Sequence, residues 1–352
     1  MPPAGYAVRE ADAADVEEEL VALWAANLNM GGDPRDKYRW FYVGNPLGAA
    51  RAFLVEAKEA AAGAAVGTCG VGPRAVACDG RVLRAGLLAD FALDRGHRTV
   101  MPGLVLQRAL ATYARGRFDL VYAFPNDAAI GILRRIGYRL LGRTGRYVRL
   151  LRVQGVLARR LRSRPLARLL ALAPDAALSV VDRARASLLP RTLVLEWTRA
   201  ADARFDRLWE RARARHPFAG ERTAAFLRWR FTERPGLPGQ LAALVDRETG
   251  EARAYAAVVE KVKGLALVAD FLADDDDALR ALFCRLFPAL RERGFDQALT
   301  YFLGAPGVET VLREVGFSFR NPAKNVVVDA PADSPVPMDP ARWYVTEADR
   351  DN

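Results

Sequence analysis

Few side chains in this chain could hold a metal or act as a soft nucleophile. There are three cysteines, Cys69, Cys78 and Cys284, and two histidines, His97 and His216, among 352 residues. They form no paired or metal-like set, so the spacing argues against a zinc site. Histidine is the side chain that changes charge near neutral pH, and His97 stands in a polar turn, Arg95-Gly96-His97-Arg98. The other abundant chemistry is positive charge, +10 net and nearly all from arginine. Such an excess suits nucleic acid, an anionic membrane surface or an acidic ligand. Alanine and arginine are inflated together, the composition of a GC-rich genome, and no RNA-binding motif accompanies them, so DNA is not an expected partner.

The elements that must position these groups are written twice, about 180 residues apart. Gly86-Leu87-Leu88-Ala89-Asp90-Phe91-Ala92-Leu93 is followed by a helical pattern, then Phe118-Asp119-Leu120-Val121-Tyr122-Ala123-Phe124, then Arg135-Ile136-Gly137-Tyr138. The order returns as Leu267-Val268-Ala269-Asp270-Phe271-Leu272, a helix, Phe295-Asp296-Gln297-Ala298-Leu299-Thr300-Tyr301, and Glu314-Val315-Gly316-Phe317. An aromatic cluster precedes each block, Tyr38-Arg39-Trp40-Phe41-Tyr42 and Phe226-Leu227-Arg228-Trp229-Arg230-Phe231. Within the first half the patterns predict a short strand at 6–9, a helix over 12–29 with Val16, Leu20, Leu23 and Trp24 on one face, and strands at 52–57, 64–74 and 82–93. A helix after Arg98, a strand at 120–124, a helix at 128–136 and a strand at 138–151 follow.

This order, with Asp90-Phe91-Ala92-Leu93 leading into Arg98-Thr99-Val100-Met101-Pro102-Gly103 and then Asn126-Asp127-Ala128 and Ile136-Gly137-Tyr138, resembles the GNAT (GCN5-related N-acetyltransferase) superfamily. The resemblance covers most of residues 6–150 and, more faintly, 193–328. It implies a mixed α/β fold with two tandem GNAT-like domains, 1–150 and 193–329, joined by a basic helical linker at 151–192 and followed by a proline-rich tail at 330–352. In that family a strand edge carries the pantetheine arm of acetyl-CoA or another acyl-CoA, and a glycine-rich turn opens a helix whose N–H groups hold the pyrophosphate. The positions so implied for the cofactor are Leu93, Arg98, Thr99, Val100, Met101, Gly103 and Asn126. Here the turn departs from the pattern, with Met101 where the first glycine belongs and Pro102 offering no N–H. The tyrosine that often protonates the departing thiol is replaced by Leu133. The resemblance then leaves Asp90, Tyr122 and His97 as catalytic candidates, with Asp90 the base or the amine ligand, and brings the acceptor over Tyr38, Trp40 and Tyr42.

The second copy carries Asp274-Asp275-Asp276-Asp277 where the first has Arg-Gly-His-Arg. Four carboxylates favour a helix start and would repel a pyrophosphate there, so only the first half is expected to bind acyl-CoA. Between the copies, Val153, Leu157 and Leu161 share a helix face with Arg152, Arg159, Arg160 and Arg162 elsewhere, a segment suited to packing between domains or to peripheral membrane contact through residues 149–190. The prolines after Asp329 predict an extended arm, ending in Trp343-Tyr344 with acidic flanks. No apolar run reaches the ~20 residues of a membrane span and the start lacks signal-peptide order, so the expected location is cytoplasmic.

The implied activity is acyl-CoA-dependent transfer to an amine of a small metabolite or sugar precursor, in a setting such as exopolysaccharide synthesis. A non-catalytic GNAT-fold scaffold is the alternative, favoured by the missing tyrosine and altered turn; it predicts Met101 filling the cleft. A tRNA-dependent peptidyl transferase is a third reading, disfavoured because no coiled-coil arm interrupts the second half.

Overall fold

The computed structural model describes residues 5–58, 64–161 and 163–351. The first half runs β1 (Tyr6–Asp12), α1 (Glu17–Asn27), α2 (Pro34–Lys37), β2 (Arg51–Ala57), β3 (Ala65–Cys78), β4 (Arg81–Leu93), α3 (Val100–Arg115), β5 (Leu120–Ala123), α4 (Asp127–Arg135) and β6 (Arg139–Leu150). A helical pair follows, α5 (Val153–Arg160) and α6 (Arg164–Ser187). The second half repeats the plan with β7 (Leu193–Thr198), α7 (Ala203–Arg213), β8 (Phe218–Gly220), α8 (Ala224–Leu227), β9 (Gln240–Asp246), β10 (Ala252–Val262), β11 (Leu265–Ala273), α9 (Asp276–Glu292), β12 (Gln297–Gly304), α10 (Pro306–Glu314), β13 (Ser318–Asp329) and β14 (Trp343–Val345). Both aromatic clusters form wide π-type turns, Tyr38–Val43 and Arg228–Thr232, directly continuing the short helices before them.

Local signals explain most boundaries. The Asp33 side chain accepts from Arg35 N with Pro34 in the first turn, and the Asn126 side chain accepts from Ala129 N, so α2 and α4 start where their caps stand. Asp275 caps α9 through Ala278 N, while Asp274 and Asp275 both pair with Arg253.

The sheet has an arrangement that local pattern cannot announce. Its strand order is β1-β2-β3-β4-β5-β13-β6-β12-β11-β10-β9-β7. Thus β13 enters the first half between β5 and β6, antiparallel to both, and β6 pairs with β12 of the second half. Each half is completed by the other's last long strand. The short strands β8 and β14 pair with one another and with β3 and β12 respectively, closing the circuit β3–β4–β5–β13–β6–β12–β14–β8. One apolar core runs through both halves, from Trp24, Tyr42 and Trp40 to Trp229, Phe271 and Tyr344, and a second lies beneath α3 around Leu106 and Leu110.

The C-terminal segment is not the extended arm its prolines suggested. Trp343 and Tyr344 are buried, the Trp343 ring centroid lies 3.8 Å from that of Phe218, and Thr346 and Asp349 close a reciprocal cap. Burying two large aromatic rings outweighs the ordering cost of a few prolines, whose backbone is stiff already. Helix α6 packs through Ala167, Ala171 and Asp182, whose carboxylate joins Arg149 at 2.5 Å to Arg291 at 2.7 Å, while Leu166, Leu169, Leu170 and Val180 on its other side face solvent. Arg162 lies outside the described residues. Among the described residues no helix is long and apolar enough to cross a membrane.

Candidate active site

Strands β4 and β5 run parallel only through Ala85–Leu120, Gly86–Val121 and Leu87–Tyr122, and then diverge. Beyond Leu87 the β5-facing edge of β4 has no strand partner among the described residues, so main-chain donors and acceptors border a gap. Across β4, the pairs Thr68–Ala92 and Gly70–Ala89 leave Asp90 and Phe91 opposite Cys69 alone, a β-bulge. Asp90 sits there at φ +53°, a left-handed backbone that aspartate tolerates better than most residues. The bulge places Asp90 in the lining of a cavity of about 540 Å³.

That cavity is built by both halves and by the end of the chain. Its walls include Leu88 to Phe91, Ala123 to Asn126, Gln107 of α3, the loop 28–33, Lys37 and Trp40, and from the second half Arg234 and Lys261, with Arg350 and Asp351 closing one side. Lys37 Nζ donates to Asp90 Oδ1 at 2.5 Å and pairs more loosely with Asp351 Oδ2 at 3.5 Å. Asp90 Oδ2 is buried and has no hydrogen-bond partner among the described residues. Burial pushes the Asp90 pKa up to about 6, against the pull of Lys37, and neighbouring Asp351 adds to the rise. Burial also acts to raise Asp351, but Lys37 and Arg350 prevail and hold it below the usual carboxylate range. The buried Tyr42 hydroxyl is raised well above its ordinary value, first by burial and then by Asp90.

Of the residues singled out from sequence, Asp90, Trp40 and Asn126 line the cavity. Tyr42 stands behind Asp90 and stacks on Tyr38, centroids 5.9 Å apart; both rings are buried away from the lining. Tyr122 points into the core shared by the halves, and burial pushes its pKa up to about 12. His97 lies outside the cavity with Nδ1 3.1 Å from the Tyr6 hydroxyl. Arg98, Thr99, Val100, Met101 and Gly103 gather at the start of α3 beside the gap, not in its lining. Arg98 donates to Leu93 O and to Asn27 Oδ1, and a Cβ at Gly103 would meet Ile132, Phe91 and Leu93. Val100 and Met101 are 49% and 46% exposed, so Met101 does not fill the cleft. Lys37, Gln107, Arg234, Lys261 and Asp351 escaped the sequence reading. Lys37 is one position before the aromatic cluster and Arg234 just beyond its counterpart; the other three have no local signal.

The corresponding gap in the second half is closed by the chain itself. Strands β11 and β12 pair only from Leu265–Gln297 to Val268–Thr300, after which β14 lies against β12 at Leu303 and Gly304. The Tyr344 hydroxyl spans to Phe271 O at 2.6 Å. Asp270 is fully buried, accepting from Tyr255 at 2.5 Å and Thr346 at 2.6 Å and facing Arg222, which donates to Asp349 at 2.6 Å. Where Asp90 lines a cleft beside Lys37, Asp270 is consumed by structure.

A parallel strand pair that splays, a bulge at its mouth and a helix N-terminus alongside define the GCN5-related N-acetyltransferase fold, present here in two halves. Solved structures agree on that fold. A GCN5-related N-acetyltransferase from Anabaena variabilis superposes with a TM-score of 0.61 at 11% identity, over 92% of this chain and 72% of its own. One from Kribbella flavida gives 0.59 at 11% identity, over 92% and 71%. The N-myristoyltransferase of Saccharomyces cerevisiae with bound myristoyl-CoA gives 0.57 at 11% identity, over 92% and 82%. No protein-family model and no curated protein sequence matches the chain.

Proposed function

We propose that the chain is an acyl-CoA-dependent N-acyltransferase working at the first-half gap alone. The carrying observation is the open gap between β4 and β5 leading to a buried carboxylate that Lys37 holds and the Tyr42 hydroxyl backs. The arm of acyl-CoA is an extended chain with two amides, and the unpartnered edge of β4 offers it strand-like hydrogen bonds. The carboxamide of Gln107, whose Oε1 is buried without a partner, supplies a further contact for an amide. At the start of α3 the N–H groups of Val100 and Met101 remain for phosphate, Pro102 supplying none.

The acceptor amine enters over Trp40 and Lys37. Asp90 takes its proton, the nitrogen attacks the thioester carbonyl carbon, and the C–S bond breaks to release the CoA thiolate. Unpaired N–H groups of the β4 edge face the developing oxyanion. No tyrosine stands at position 133, so the sulfur leaves as a thiolate, whose parent thiol has a pKa of about 8.5, and takes a proton from water. The second half, with its gap filled by β14, is the wall of the acceptor site. The acceptor belongs to the small amines, sugar amines included, since the cavity has the volume of a small-molecule site.

Calorimetric titration of acetyl-CoA and longer acyl-CoA species into the full chain tests this reading. One-to-one micromolar binding, with CoA thiol released on adding amines, is the expected result; no binding by a folded protein would overturn it.

A further inference from the structure

The cavity is lined by charges of both signs. Its lining carries acids, Asp90 and Asp351 among them, and cations, of which the second half contributes Arg234 and Lys261. The Arg234 guanidinium lies 4.3 Å above the Trp40 ring and makes no hydrogen bond or ion pair among the described residues. Among the described residues the one acid within ion-pair reach of Lys261 is Glu347, at 4.0 Å, whose Oε1 is held more closely by Arg350 at 2.5 Å and whose buried Oε2 has no partner. Arg230, beside them, spends donors on the main-chain carbonyls of Glu347 and Ala348. Arg230, Arg234, Lys261 and Arg350 thus gather about Glu347, and three of the four, Arg234, Lys261 and Arg350, line the cavity; Arg350 is held by Glu347, which leaves Arg234 and Lys261. Burial presses both down, Lys261 to about 8, as happens to cations that lack a full counter-charge.

Leaving a guanidinium and an ammonium partly desolvated and underpaired costs stability that the stack on Trp40 and the loose pair with Glu347 return only in part. Their place also separates them from acyl-CoA phosphates. The start of α3 lies outside the cavity lining, whereas Arg234 and Lys261 stand on the Trp40 side, with Asp90. Arginine stacked on an indole presents its planar fork of donors edge-on, a geometry suited to carboxylate or phosphate.

We propose that Arg234 and Lys261 form an anion subsite for the acceptor, so that the acceptor is an amine carrying a carboxylate or phosphate group. The ammonium lies toward Asp90 and Asp351, the anion toward Arg234 and Lys261, and two opposite charges fix which nitrogen meets the thioester. This rests on the acyltransferase reading for the role of the amine. The subsite selects against neutral-tailed amines because they leave the two cations unpaired.

The test uses matched probes titrated calorimetrically into the full chain: 4-aminobutyrate against butylamine, and O-phosphoethanolamine against ethanolamine. The anionic member of at least one pair is expected to bind ten-fold or more tightly, the larger ratio telling carboxylate from phosphate. In Arg234→Gln and in Lys261→Gln that ratio falls several-fold toward one, with acetyl-CoA affinity and melting temperature near wild type; Arg234→Lys restores part of it. Equal binding within both pairs by the wild type overturns the subsite, as does a ratio that survives in both Gln variants. A parallel fall in acetyl-CoA affinity also overturns it, assigning the cations to CoA instead. Failure of the wild type to bind acetyl-CoA defeats the acyltransferase reading, while the paired ratios still judge the subsite.

Discussion

Trp40 and Trp229 exchange hydrogen bonds: each indole N–H donates to the other's main-chain carbonyl, at 2.7 and 2.9 Å, and the two rings stack with centroids 5.0 Å apart. The pair sits where the two aromatic turns meet and joins the halves through equivalent atoms. Replacing one indole by phenylalanine leaves a buried carbonyl without its donor. Trp40→Phe and Trp229→Phe should each lower stability by about 1–3 kcal/mol, and the double variant should cost less than the sum. Urea unfolding of the three variants checks this.

Asp90 gives a pH dependence with a definite sign. Its pKa in the folded protein is raised to about 6, so the carboxylate that acts as base accumulates above that pH and is lost below it. The acyl-transfer kcat/KM should therefore climb through about pH 6 and level off above it. Lys37→Met removes the charge that favours ionisation and should move this limb to higher pH. Asp90→Asn should lose about 10²–10⁴-fold in kcat while acetyl-CoA affinity holds.

Arg222 lies fully buried between Asp270 and Asp349. Arg222→Met strands two carboxylates and should destabilise the protein by about 3–5 kcal/mol. The milder Tyr344→Phe, which frees the Phe271 carbonyl, should cost about 1–3 kcal/mol. Thermal melts of the two variants should fall in that order.

His216 packs against the Tyr344 ring, centroids 4.3 Å apart, and burial presses its pKa down to about 4. Its neutral form is the native one. Above about pH 6.5 it costs nothing, and as pH falls from there toward about 4 the unfolded chain gains a proton that the folded one refuses. Its share of the acid destabilisation should reach about 2 kcal/mol at pH 5. The drop in unfolding free energy between pH 7 and pH 5 should shrink by that amount in His216→Phe.

The repeated motifs carried the fold because strand periodicity and helix caps are local: Asp275 caps the helix that its acidic run foretold, Asn126 caps the next helical pattern after β5, and the paired aromatic clusters became paired turns. The site was legible at Asp90, Trp40 and Asn126, which belong to those motifs. Lys261 and Asp351 reach the cleft only because β10 ends and the last turn passes beside it, a long-range placement with no signature of its own. The exchange of β6 and β13 was equally hidden, since either strand could satisfy its alternating pattern against either half.

That exchange sets an order on the protein's making. While the first 150 residues emerge from the ribosome, β5 has an edge with no neighbour, and the strand destined for it, β13, is still more than 150 codons away. The nascent first half must wait with an open, apolar sheet edge, the kind of surface on which chains pair wrongly. Splitting the gene between the halves should therefore yield not two domains but two partners, soluble only when made together.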